Sequence, residues 1–450
     1  MKLDESLWVL GGGRTAEWRS VRRRRLDEVR AGLRAALRRL SREAPAPVRA
    51  RRYGEALRFL IAARGPRAER VLEHPALDYW LSLSAVEDWH LHFGVVAGFA
   101  ASLALQEGKS FSGDAVLDPD GSFYIYGLPW ALDFAAGGCA LASVSVKGGV
   151  LRLEGDGFEA VFDPRDAVAG GPLRRLEEAA PGIVVDDRGW LQVHGVTMHG
   201  LARLDDGERR RFSETIRRAV SDMAERDPLL HAEMTDLLQV LVPLVNTEKR
   251  GSVSSSYATL RGLIALSPSD DALLQAETLI HEFCHMKLNQ LLAADPVLLP
   301  GQSGQVFYSP WRPDARRLRG LLIGAHAFLN VGRYLARSLA REEYSSEDRL
   351  QVMTNVARRL FEVETALQAS IEHGSYTAFG REFVMGMWRE LGLLRHAALW
   401  FPPALLAEQK AACAAHYAEH ALSGTFLHKR AAELADRVPR AGYAAAGTPL

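Results

Sequence analysis

The sequence predicts an α+β protein, predominantly helical, with a β-rich middle section and one helix that carries a His-Glu-x-x-His motif. Three observations predict it. Apolar residues recur at three- and four-residue spacing in long stretches on both sides of the chain's middle, as they do on amphipathic helices. From about Ser110 to Gly200 the pattern changes to short apolar runs broken by glycine and aspartate. The motif itself, His281-Glu-Phe-Cys-His285, lies in a stretch from Ala272 to Ala293 that has no glycine or proline. In order, this gives an N-terminal helical region at 1–108, a β-rich region at 109–205 and a helical domain with the motif at 206–450.

Arg14 to Ser41 alternates arginines with Leu, Val and Ala, and the Arg22 to Arg25 run reads as a solvated helix face. Glu43-Ala-Pro-Ala-Pro47 ends that helix, because proline has no N–H for the ladder. Further helices are expected over Val48 to Ala63 and Pro75 to about Gln106. Ala142 to Val146, a Lys-Gly-Gly turn and Val150 to Glu154 read as a hairpin, with Phe158 to Phe162 as a third strand. The helical period returns at about Asp206 and runs to about Arg437, interrupted by loops at Asn246 to Tyr257 and Asp295 to Pro313. Gly262 to Leu266 is strand-like, and the serine-rich stretch before it fits either an edge strand that holds an extended peptide or a plain surface loop.

Composition narrows the function classes. With 55 Lys plus Arg against 55 Asp plus Glu, no net field draws the molecule to nucleic acid or to an anionic membrane. The 3 cysteines are odd in number and far apart, which argues against a disulfide framework and for a reducing compartment. The polar start and the lack of a long uncharged apolar stretch lead to a cytoplasmic expectation, with no membrane partner.

Ser267-Pro-Ser-Asp-Asp271 supplies N-caps, so a helix should start there and contain the motif. Four residues apart, His281 and His285 project from one face about a turn apart, close enough for two imidazoles to bind one ion. Glu282 sits beside them, where a carboxylate reaches a metal-bound water or a substrate. This is a metal-binding helix of the zincin-like type. Leu288 and Leu291 stand where a metzincin would have Gly and His, so that continuation is excluded. The third ligand stays open between His326, a lone imidazole in the apolar stripe of the next helix (about Ala315 to Arg341), and the carboxylates Glu342 and Glu343. For His326 the plain alternative is a core histidine bonded to backbone. The loop from Phe307 to Arg317 is dense in aromatic and guanidinium groups, and Arg312 and Arg316 suit capture of a carboxylate as well as pairing with Asp314. His90, His92, His416 and His420 read as structural or exposed, and Cys284 as a small buried apolar group.

Taken together, His281 to Leu292, Tyr308 to Arg316 and Gly320 to Phe328 resemble the HExxH-motif peptide-modification proteins of ribosomally synthesised peptide pathways. The ordered likeness covers roughly Ser252 to Phe328. It departs from the family pattern at Cys284, where a Gln is common, and at Arg317, where a proline is common. The resemblance implies an iron(II)- and 2-oxoglutarate-dependent oxygenase, a peptide β-hydroxylase acting on a precursor peptide. It also implies that His281 and His285 bind iron, and that Arg312 or Arg316 holds the cosubstrate's far carboxylate. The motif alone leaves a zinc-dependent metallopeptidase as the alternative, with Glu282 as base and Tyr308 or His373 stabilising an oxyanion. A non-catalytic peptide-binding scaffold is the third reading.

Overall fold

In a computed structural model, described over residues 16–44, 51–83, 93–118, 121–134, 140–187, 200–246, 252–294, 296–299, 306–340 and 344–420, the chain is of mixed α+β structure. Helices α1 (Ala16–Arg42), α2 (Tyr53–Ala62), α3 (Pro66–Leu72), α4 (Pro75–Leu83) and α5 (Phe93–Glu107) come first. Strands follow as β1 (Phe111–Val116), β2 (Ser122–Ile125), β3 (Trp130–Asp133), β4 (Leu141–Lys147), β5 (Val150–Gly155), β6 (Phe158–Phe162), β7 (Leu173–Arg175), β8 (Glu177–Ala180) and β9 (Ile183–Val185). Next are α6 (Asp206–Arg226), α7 (Pro228–Leu237), β10 (Val240–Pro243), β11 (Ser254–Ser256), β12 (Leu263–Leu266) and the motif helix α8 (Ala272–Ala294). The chain closes with β13 (Val306–Phe307), β14 (Arg316–Arg317), α9 (Leu318–Ser338), α10 (Ser346–His373), α11 (Ala378–Ala398) and α12 (Pro403–His420). Among the described residues no helix is long and apolar enough to cross a membrane.

The chain divides into two compact units. One comprises 22–217 and 237–270, the other 1–21, 218–236 and 271–450. In the first unit β1, β4, β5 and β6 form an antiparallel sheet in the order β1-β4-β5-β6. The β4–β5 hairpin turns at Gly148 and Gly149, whose φ angles of 59° and 81° are open to glycine at no steric cost. A second sheet runs β11-β12-β10-β9-β8, in which β9, β10 and β12 are parallel. The serine-rich β11 is its edge, antiparallel to β12. Large side chains such as Trp80, Phe99, Phe123 and Phe162 fill this unit's core.

Two sequence expectations are corrected here. Val240–Pro243 is a strand within a region read as helical; it is buried along its whole length, and a short, continuously apolar run has no period that separates strand from helix. The loop before α9 holds a small ladder, Val306 opposite Arg317 and Phe307 opposite Arg316, so the helix starts at Leu318 rather than near Ala315. The helix expected over Pro75 to Gln106 is seen as α4 and α5, with residues 84–92 between them outside the described part. His90, His92, Cys139, Glu342 and Glu343 also lie outside the described residues, as does the expected helix beyond 420.

The second unit is helical around α8. Asp271 caps it, its Oδ1 accepting from the N–H groups of Leu273 at 2.9 Å and Leu274 at 3.1 Å. Ala276, Leu279, Ile280, Phe283, Leu288 and Leu291 bury most of its circumference. On the side away from the histidines, Lys287 is 1% exposed and donates to both oxygens of Glu233 on α7 at 2.8 Å. That two-pronged bond satisfies both buried charges and fixes the rotation of α8 about its axis.

Candidate metal centre

One helical turn separates His281 from His285, and their Nε2 atoms meet at 2.9 Å with the ring planes at 81°. Neither Nδ1 has a hydrogen-bond partner among the described residues, although both atoms are buried. Burial lowers the pKa of each imidazole. The second imidazole and Arg359 push His281 further down; for His285, Glu282 opposes the shift and Arg316 adds to it. Both rings are therefore neutral at physiological pH, the state in which imidazole donates to a metal. Glu282 is 5% exposed, beside them on the helix.

Phe328 of α9 lies 4.5 Å from the His281 ring, centroid to centroid, and Trp311 lies 5.1 Å from Phe328. Trp311 rests on Gly324, where an added Cβ would come within 2.3 Å of the indole, so the bare backbone is what lets the loop close on α9. The far side of Phe328 is covered by Arg359 of α10, with its guanidinium carbon 4.0 Å from the ring centroid and Nη1 bonded to Glu362 at 2.6 Å. Sequence reasoning missed Arg359, because nothing in the even polar pattern of α10 ties it to residues so far back in the chain.

The two loop arginines differ. Arg312 is half exposed and spends its Nε on Asp314 at 2.8 Å. Arg316 is less exposed, pairs with the other Asp314 oxygen at 3.1 Å, and its charge reaches His285. Of the two, Arg316 is the one whose charge acts on the histidine pair.

His326 is not brought into a three-ligand group with His281 and His285; no set of three His, Cys, Asp or Glu side chains placed to hold a metal occurs among the described residues. Phe328 and His326 are two residues apart on α9 and so face roughly opposite ways, and it is Phe328 that meets His281. His326 is buried, with its ring 5.8 Å from that of Phe383 and its pKa lowered to about 3 by burial, then by Lys287, His285 and Arg333. Its Nδ1 is buried with no partner among the described residues. Cys284 is fully buried and its thiol pKa is pushed far up by burial. Tyr308 bonds its hydroxyl to His416 Nδ1 at 2.5 Å, and His373 stacks on Phe307 at 5.3 Å.

No protein-family model matches the chain, and no curated protein matches it either.

Proposed function

We propose that the chain is an iron(II)- and 2-oxoglutarate-dependent oxygenase that hydroxylates a side chain of a ribosomally made precursor peptide at Cβ. The observation that carries this reading is the convergence of two imidazole nitrogens at 2.9 Å, with burial holding both rings neutral. His281 and His285 fit a metal: their donor atoms share one point and their outer nitrogens are committed to no competing bond among the described residues. They supply two donors and leave further positions open, as a site for a chelating keto acid requires. With iron(II), 2-oxoglutarate and dioxygen bound, the centre would supply one oxygen atom to a C–H bond and release succinate and carbon dioxide.

The chain's own residues then have definite tasks. Arg316 offers a guanidinium to a carboxylate on the His285 side, and Arg312 is the weaker candidate because it faces solvent. Phe328 and Trp311 wall the His281 side with aromatic surface and exclude water from it. Glu282, buried next to the pair, orients a ligand or substrate. Incubation with iron(II), 2-oxoglutarate and the precursor peptide should yield succinate and a peptide heavier by one oxygen. A cleaved peptide without succinate would overturn the reading.

Glu282 also favours a second reading, a zinc-dependent peptidase with that carboxylate as base. Its oxyanion candidate Tyr308 is engaged by His416, which supports the reading less. Activity that persists with zinc and no 2-oxoglutarate would establish it.

A further inference from the structure

A cleft of about 150 Å³ lies in the same unit as the histidine pair. From α8 it takes Leu288 and Leu292, three and seven residues beyond His285 and so on the same helix face as the pair. Leu322 of α9, Phe383 of α11 and Val297 complete an apolar wall. Arg319 of α9 is the only charged residue among the described residues of the lining.

Two features mark this cleft as built. Its wall is pinned: the N–H of Thr377 donates to Val297 O at 3.0 Å, and that of Leu299 to Ser375 O at 2.9 Å. Gly380 packs so tightly on the same carbonyl that a Cβ there would stand 2.0 Å from it. The recess is thus held open by backbone rather than left by loose side chains. Arg319, in addition, has no counter-ion among the described residues. Its Nη2 donates to the neutral Asn289 Oδ1 at 3.1 Å, and no carboxylate among the described residues pairs with it. Arg319 stands exposed at the edge of this apolar surface, and with its described bond made to a neutral amide its guanidinium is open to an anion.

We infer that this cleft is the recognition subsite for a large apolar side chain of the peptide substrate, with Arg319 pairing with a carboxylate on the neighbouring residue of that peptide. The inference rests on the peptide-substrate reading above and adds the sequence preference: an apolar residue next to Asp or Glu. The size of the cleft suits one apolar side chain. Its place on the same face of α8 sets the recognised residue near the pair.

Fluorescence anisotropy with the full chain, and with neither iron nor 2-oxoglutarate, tests it using labelled hexapeptides centred on Phe-Glu, Phe-Gln or Ala-Glu. Wild type should bind the Phe-Glu peptide about tenfold more tightly than either other peptide. Arg319→Gln should erase the Phe-Glu over Phe-Gln preference and leave Phe-Gln binding unchanged. Leu292→Trp, which fills the cleft, should abolish the Phe over Ala preference, with the unfolding midpoint recorded to show that the variant folds. Equal binding of the three peptides, no binding, or an Arg319→Gln protein that keeps the preference would overturn the inference. Displacement by decanoate with no peptide bound would overturn it in favour of a lipid site. Because no turnover is read, peptide selectivity without hydroxylation sinks the oxygenase reading alone. Hydroxylation that ignores Arg319→Gln sinks only the cleft.

Discussion

Two helices of this protein carry histidines four residues apart, and in both the ring centroids stand 4.4 Å apart. On α8 the Nε2 atoms meet each other, the Nδ1 atoms have no partner among the described residues, and a buried ion pair braces the opposite side of the helix. On α12 one ring is tied into an ordinary bond, His416 to the Tyr308 hydroxyl, and His420 lies 3.7 Å from a Glu419 oxygen. Spacing alone therefore does not make a metal site. What separates the pairs is whether a ring nitrogen is already used. His74 marks a third condition. Its ring is caged by Phe99 and Tyr126, each at 5.2 Å, and its Nδ1 accepts the N–H of Ala76 at 3.2 Å, which makes it a structural histidine that helps start α4.

The largest effect should come from removing the brace. Lys287→Met leaves Glu233 buried without its partner and should cost about 3–5 kcal/mol in urea unfolding. The double variant Lys287→Met/Glu233→Leu should recover most of it, and a loss below about 1 kcal/mol would show that the ion pair does not anchor α8. Next, His281→Ala should weaken cobalt(II) binding, followed by its visible absorbance, by about a hundredfold or more, whereas His416→Ala should leave it nearly unchanged. The reverse ranking would break the comparison outright.

Acid sharpens it further. Burial, aided by Arg70, lowers the His74 pKa to about 3, so the folded protein holds this ring neutral while the unfolded chain takes up a proton below the ordinary histidine value. Its contribution is complete above about pH 6.5 and is lost as pH falls toward the folded pKa, at about 1.4 kcal/mol per pH unit. His74→Asn keeps an acceptor for Ala76 and should flatten that part of the stability profile; an unchanged slope would mean that other groups dominate acid unfolding. The smallest effect belongs to the α12 pair. Tyr308→Phe deletes one hydrogen bond to His416 and should cost about 0.5–1.5 kcal/mol by thermal unfolding, with cobalt(II) affinity unmoved.

Much of this was legible in the residues. Asp271 and the unbroken stretch after it marked α8, and Lys147-Gly-Gly149 marked the β4–β5 turn, because caps and glycine turns are local chemistry. Val240–Pro243 was not legible as a strand, since full burial erases periodicity. Within the site, the facing of His281 and His285 followed from helical spacing, but the choice between Arg312 and Arg316, the arrival of Arg359 and the position of His326 depend on how α8, α9 and α10 pack. No sequence period encodes that packing.

The contact between Gly380 and the Val297 carbonyl also sets terms for anyone wishing to redesign the cleft. That wall has no slack: it is backbone against backbone, and even a methyl group at 380 would have to displace the segment it rests on. Any change of specificity must be made on the opposite side, where Leu292 and Leu322 present replaceable side chains. Enlarging or shrinking those two residues retunes the recess while the fixed wall keeps its shape, which makes the cleft an adjustable gauge with one rigid jaw.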